Sequence, residues 1–176
     1  VEHWGERINL TGHRGLAAIL QGLVVESAAL CAQLPDVESL VDLGSGAGFP
    51  GLPIAILRPG CGVRLVESRI RRHHFQRAAV RELGLTNVQL SLGRAEVLAP
   101  SPHAAVVAQA MGKPAEVLPS MLRWAAPGAL LILPGSQMGP EVPEIKEDIP
   151  ERTHVYEVPG RTTARSLWIA RRSCGT

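Results

Sequence analysis

Residues 41–51 read Val41-Asp42-Leu43-Gly44-Ser45-Gly46-Ala47-Gly48-Phe49-Pro50-Gly51, and the fold class turns on this run. Ser39–Leu43 is a short apolar stretch that runs into a glycine cluster, the pattern of a buried strand entering a tight turn. Glycines after such a strand let the backbone approach a ligand closely and adopt conformations closed to a side chain. The next apolar run, Val63–Val66, is followed by Glu67, 19 residues beyond Gly48. An acid at that place can accept hydrogen bonds from a ribose diol.

Outward from the loop, the periodicity alternates between helix and strand. Leu16–Leu34 predicts a helix with one broad apolar face, closed by Pro35. After the loop come a short helix, Leu52–Leu57, begun near Pro53 and stopped by Pro59-Gly60, the strand Val63–Val66, and the helix Ile70–Leu83 ended by Gly84. On that helix Phe75, Ala79 and Leu83 recur every four residues and predict the core face, which leaves His73, Arg77 and Arg81 outside. Val88–Leu92 and Ala104–Ala108 read as strands and Ala115–Trp124 as a helix, and Pro127-Gly128 turns the chain into the strand Ala129–Leu133. This alternation predicts an α/β fold, a doubly wound, mostly parallel sheet with helices on both faces. Residues 134–151 are rich in proline and acids and carry no assignable element. His154–Val158 and Ser166–Ala170 then read as two strands with no helix between them, so they pair antiparallel. A parallel core closed by an antiparallel hairpin is the sheet design of class I S-adenosylmethionine-dependent methyltransferases.

The glycine motif by itself leaves two readings. Gly44-x-Gly46-x-Gly48 has the methyltransferase spacing, and Gly46-x-Gly48-x-x-Gly51 satisfies the dinucleotide pattern. Pro50 and Pro53 remove amide donors from the helix start, where a pyrophosphate needs them. That loss and the terminal hairpin favour methyl transfer over a nicotinamide-binding oxidoreductase.

The 176 residues carry 45% apolar side chains. A chain of about 150 residues or more buries about 70% of its unfolded surface, so one folded domain is expected and disorder is not. No apolar run approaches the roughly 20 residues that cross a bilayer, so no membrane span is expected. Cys31, Cys61 and Cys174 are odd in number and lack C-x-x-C spacing, which predicts a reducing, cytoplasmic setting. The chain opens at Val1 without a basic-then-apolar stretch, so no signal peptide is expected, and residues ahead of Val1 stay open. The net charge of +2 hides blocks of opposite sign. Seven arginines between Arg58 and Arg81 face one acid, Glu67, and Arg161, Arg165, Arg171 and Arg172 follow an acidic stretch. Arginine forks suit phosphate, so the blocks point to a polyanionic partner.

Ile8-Asn9-Leu10-Thr11, the run from Asp42 to Gly51, Glu67-Ser68 with Arg71-Arg72 and Phe75, Glu82–Val88, Gly93-Arg94-Ala95-Glu96 and Arg165–Arg171 together resemble one family. It is the small-subunit rRNA methyltransferase G family, also called glucose-inhibited division protein B. The resemblance spans Trp4 to Arg171 and implies methylation of guanine N7 in 16S rRNA with S-adenosylmethionine. It implies that Gly44, Ser45, Gly46, Gly48 and Phe49 line the methionine and ribose part of the cofactor site. Glu67 and Ser68 hold the ribose, Ala95 and Glu96 reach the adenine, and Gln109 stands at the cofactor and guanine side. Asn9, Arg71, Arg72, Arg77, Arg161 and Arg165 are the expected substrate-binding residues. The implied organisation is a single domain over 1–176, with an N-terminal helical segment (1–38) and a Rossmann-like core (39–176). The family also implies helical residues ahead of Val1, so the chain reads as a fragment or a trimmed member.

The chain departs from the family pattern at four places. Gly22-Leu23 replaces Arg-His in the first long helix, and Glu26-Ser27 replaces Asp-Ser. Ala108-Gln109-Ala110 replaces Ser-Arg-Ala after the fourth strand, and Pro134-Gly135 replaces Lys-Gly after the fifth. A second reading follows: an S-adenosylmethionine-binding domain whose acceptor is lost or altered. Guanine N7 already carries a lone pair, so no general base is required, and no catalytic residue is assigned. The six histidines show no ligand spacing, so no metal site is expected. The expected partner is ribosomal RNA or the small ribosomal subunit, bound by a monomer.

Overall fold

Ser39–Leu43 forms β1 (Ser39–Leu43), and Leu40, Val41 and Leu43 lose all contact with solvent. The computed structural model describes residues 10–13, 15–135 and 151–174. Beside β1 on one side lie β2 (Gly62–Glu67) and β3 (Val88–Leu92), and on the other β4 (His103–Ala108) and β5 (Ala125–Gly135). All five run parallel. β6 (Glu151–Tyr156) and β7 (Arg165–Arg171) complete a sheet of order β3-β2-β1-β4-β5-β7-β6, with β7 antiparallel to both of its neighbours. The expected antiparallel pair is present, and its second strand lies inside the first. The order reverses direction between β1 and β4, so a crevice opens beyond their carboxyl ends, where open α/β sheets bind ligands.

Helices cover both faces because successive strand residues point to opposite sides. On one side Leu40, Val63, Leu65 and Ile132 pack against Leu30 and Cys31 of α1 (Leu16–Gln33) and against Leu52, Ile54 and Ala55 of α2 (Gly51–Leu57). On the other, Val41, Leu43, Val106 and Leu131 pack against Val117, Leu118, Met121 and Trp124 of α4 (Pro114–Trp124). α3 (Ile70–Glu82) is the arginine-rich helix. α1 is one continuous run of three stretches, α-helical over Leu16–Ile19, π-helical over Leu20–Val25 and α-helical over Glu26–Gln33.

Four expectations are corrected. Leu83 does not face the core: it is 53% exposed and lines an apolar groove with Val24, Ile56 and Leu57, because α3 stops at Glu82 and the chain has begun to turn away. Pro127-Gly128 does not separate helix from strand. β5 begins at Ala125, directly after α4, and the proline and glycine are absorbed as an irregularity between His103↔Ala125 and Ala105↔Leu130. β6 starts earlier than His154 and ends at Tyr156, leaving Val158 buried outside the strand. Finally, Leu16–Gln33 is an 18-residue helix of mean hydropathy 1.5, long and apolar enough by length and composition to cross a membrane. Single polar residues break its apolar runs, yet the mean stays high. Here its Leu30 and Cys31 sit in the core and its Glu26 is buried against two arginines, while Leu16, Leu20 and Val24 are exposed.

Candidate functional site

The glycine loop is held by hydrogen bonds that consume its own amides. Gly44, Gly46 and Gly48 take φ of 67°, 58° and 85°, the left-handed region that glycine enters without cost. Ser45 N–H donates to Val66 O (3.1 Å), Gly48 and Phe49 N–H both donate to Ser45 O (2.7 and 3.1 Å), and Leu52 N–H donates to Gly48 O (2.7 Å). Gly46 N–H donates to Glu67 Oε2 and Gly51 N–H to Asp42 Oδ2, both at 2.9 Å. Pro50 and Pro53 have no N–H to offer. These donors are therefore spent within the turn, and a pyrophosphate would not find the amide cradle that dinucleotide folds offer it.

From behind, α3 braces the loop through Gln76. Its side chain has no solvent exposure, and Nε2 donates to Ser45 Oγ (2.9 Å) and Gly46 O (2.8 Å). Ser45 Oγ passes its own proton to Val66 O (3.3 Å). Gln76 was not singled out from the sequence, because a glutamine within an arginine-rich helix carries no signal of the turn it will meet 30 residues away.

Asp42, next to last in β1, has 0% exposure and one carboxylate oxygen, Oδ1, without a partner among the described residues. Burial pushes its carboxyl well above the usual range and the Glu67 charge adds to this, while the Gly51 amide pulls the other way. A carboxyl raised on folding contributes least when ionised, so stability falls as pH rises from the unfolded value toward the folded one. Asp42→Asn keeps an acceptor for Gly51 and removes the charge. Its stability relative to the parent is expected to rise as pH climbs above the ordinary carboxylate value and to level off once the folded-state carboxyl ionises, by at most about 1.4 kcal/mol per unit. Urea unfolding at several pH values measures this, and a difference that shrinks with pH contradicts it.

Beyond the loop lies a cavity of about 310 Å3. It is lined by Gly44, Ser45, Gly46, Ala47 and Phe49 of the loop, by Leu10, Thr11, Gly12 and His13, and by Gly22, Leu23, Glu26 and Ser27 of α1. Arg72, Gln109, Ala110 and Arg165 close the rim. Ala110 has φ of 52°, the one non-glycine residue with positive φ among the described residues, and such strain concentrates at functional sites. A smaller cavity of about 210 Å3 adjoins it at Ala110, between Met111 and Pro134.

Glu67 stands behind the loop at 3% exposure, with its oxygens accepting from Gly46 and Arg69 N–H (2.9 and 2.7 Å). It staples the loop, and an ionised carboxylate retains further lone pairs for a diol. Gly48 is buried under Leu52, and Ser68 is exposed at the end of β2. Neither they nor Glu67, Ala95 and Glu96 line the cavity. Ala95 is buried, and its carbonyl accepts from Trp124 Nε1 (3.0 Å) and Arg123 Nη1 (3.3 Å), while the Glu96 carbonyl also accepts from Arg123. The groups left to reach a ligand there are the amides and the exposed Glu96 side chain.

Of the arginines, Arg72 and Arg165 reach the cavity, and Arg71 and Arg77 are exposed on α3. Arg161 and Arg165 are held by Glu26: Arg161 Nη2 lies 2.8 Å from Oε2 and Arg165 Nε 3.0 Å from Oε1. Burial first and this carboxylate second push the nearby Tyr156 phenol up to about 12. Asn9 lies outside the described residues. Among the described residues no group of three His, Cys, Asp or Glu side chains is placed to hold a metal.

The glycine cradle has room for a ligand: a β-carbon on Gly46 would meet nothing nearer than Arg72 Nη1 at 3.8 Å. A sequence model of rRNA small subunit methyltransferase G matches residues 1–166. The chain belongs to the rRNA small subunit methyltransferase G family. A ribosomal RNA small subunit methyltransferase G from Halorhodospira halophila is 36% identical over 157 residues, 89% of this chain and 75% of its own length. One from Xanthomonas oryzae pv. oryzae is 33% identical over 175 residues, 97% of this chain and 81% of its own length. The fold of an S-adenosylmethionine-dependent methyltransferase from Aquifex aeolicus superposes with a TM-score of 0.62 at 16% identity, covering 88% of this chain and 92% of that one. The departures from the family pattern now have a place. Gly22, Leu23, Glu26 and Gln109 all line the main cavity and Pro134 the adjoining one, so they converge on one surface rather than scatter.

Proposed function

We propose that this chain transfers a methyl group from S-adenosylmethionine to N7 of a guanine in small-subunit ribosomal RNA. Membership of the family over residues 1–166, with the glycine loop opening on a ligand-sized cavity, is the observation that carries the reading. In this reading Gly44, Ser45, Gly46, Gly48 and Phe49 hold the cofactor along the loop, Glu67 and Ser68 take the ribose, and Ala95 and Glu96 meet the adenine. When bound, S-adenosylmethionine supplies a methyl group on a positively charged sulfur. Guanine N7 needs no deprotonation to attack it, so the chain's work is alignment, which can supply about 7–11 kcal/mol of a barrier. Gln109 borders both ligands. Arg71, Arg72, Arg77 and Arg165 steer phosphates, joined by Arg161 and by Asn9. The chain acts as one domain and as a monomer in the cytoplasm, where Cys31 and Cys61 stay free thiols.

A second reading, a cofactor-binding domain with an altered acceptor, is favoured by Gly22, Leu23 and Gln109 on the cavity wall. Calorimetry with S-adenosylhomocysteine, then transfer of labelled methyl to small subunits and to free 16S rRNA with mass mapping, separates the two. Binding with 7-methylguanine formed supports the first reading. Binding with no transfer to either RNA supports the second, and absence of binding overturns both.

A further inference from the structure

Gly22 sits in the π-helical stretch of α1, and it is buried because an imidazole lies on it. A β-carbon at position 22 would stand 2.2 Å from His13 Nε2 and 2.4 Å from His13 Cδ2, so only glycine permits the ring this seat. The seat is fixed from the other side. Thr11 Oγ1 accepts from the His13 amide (3.0 Å) and lies 3.0 Å from His13 Nδ1. The hydroxyl that accepts from the amide also has a proton to offer Nδ1, and in that tautomer the ring hydrogen is on Nε2. π-helical turns recur at functional sites, and this one carries the glycine that admits the ring.

His13 and Gly22 therefore line the same cavity as the glycine loop. An acceptor that meets a ligand lying along the loop has to enter this cavity, where His13 is part of the lining. We propose that His13 selects and orients the acceptor base. This rests on the proposed function above. The edge of guanine that bears N7 also bears O6, and both are acceptors. N7 must stay free to attack, so a donor that positions this base has to address O6. The imidazole N–H supplies that donor, and the Gln109 amide on the rim is a second group of the same chemistry.

The test compares His13→Ala, His13→Gln, His13→Phe and Gly22→Ala in the full chain, measured by S-adenosylhomocysteine binding, thermal midpoint and methyl transfer to free 16S rRNA. His13→Ala and Gly22→Ala are expected to lower kcat/KM for RNA at least tenfold, mostly through KM, with S-adenosylhomocysteine affinity within twofold of the parent. His13→Gln, which keeps a donor, recovers part of the loss, and His13→Phe, which keeps only a ring, recovers none. The assignment is overturned if His13→Ala leaves both kinetic constants within twofold, if His13→Phe recovers more than His13→Gln, or if the loss merely follows cofactor affinity or the thermal midpoint. A parent chain that binds S-adenosylhomocysteine yet methylates no RNA overturns the proposed function instead, and is distinguished by that first control.

Discussion

Gly48→Ala is expected to cost about 3–4 kcal/mol of stability and to abolish cofactor binding, whereas Gly46→Ala costs about 1 kcal/mol and weakens binding alone. Both glycines have positive φ, 85° at Gly48 and 58° at Gly46, so an added methyl strains the backbone at either. What separates them is the space beyond. At Gly48 the β-carbon would stand 2.4 Å from Leu52 Cδ1 and 2.7 Å from Leu52 Cγ. Leu52 is 5% exposed on the first turn of α2 and cannot retreat without opening the core beneath. The Gly48 N–H bond to Ser45 O and its carbonyl's bond from Leu52 N–H would be displaced with it. At Gly46 the nearest atoms are 3.8 Å and more away, in the cavity where a cofactor is proposed to lie. Urea unfolding and S-adenosylhomocysteine calorimetry on the two variants check this. Equal losses of stability would show that backbone strain, not packing, governs the loop. As a control, Gly60→Ala meets nothing within 4 Å and should change stability by no more than about 0.5 kcal/mol.

The loop was legible because its signal is local: a strand, three glycines and an acid at fixed spacing specify the turn wherever the rest of the chain lies. The alternation of apolar periods likewise reported the parallel core and the closing antiparallel pair, since each element buries its own stripe. What stayed hidden depends on partners distant in sequence. Gln76 braces Ser45 and Gly46 across 31 and 30 positions, and His13 matters because position 22 has no side chain. Pro127-Gly128 reads as a turn by composition, but pairing with β4 on either side of it, at Ala125 and at Leu130, keeps it within the strand as an irregularity. Glu67 shows a further limit. A sequence places one acid beside a ribose, and the fold gives that acid a second task, closing the loop through Gly46 and Arg69.

Glu26→Ala is expected to destabilise the chain by about 3 kcal/mol, because it strands two partly buried guanidinium groups rather than removing one favourable contact. Glu26 joins α1 to both Arg161 and Arg165 at the start of β7, with Arg165 Nη2 donating to Oε2 at 3.1 Å besides the two ion pairs. The carboxylate side chain is 11% exposed and the arginines 23% and 24%, enough burial that neither cation is fully hydrated once its partner is gone. Replacing all three by apolar residues of similar reach, Glu26→Leu with Arg161→Met and Arg165→Met, removes the charges together and should return stability to within about 1 kcal/mol of the parent. The triple variant then separates two roles of Arg165, which both pins α1 and lines the cavity. If it recovers its unfolding free energy while RNA methylation stays lost, the cluster of Glu26, Arg161 and Arg165 acts on RNA as well as holding α1, and adding back Arg165 alone to the triple variant shows whether its guanidinium is the group that acts. If activity returns with stability, Arg165 serves only to hold α1 against the sheet, and the phosphate contact proposed for it falls.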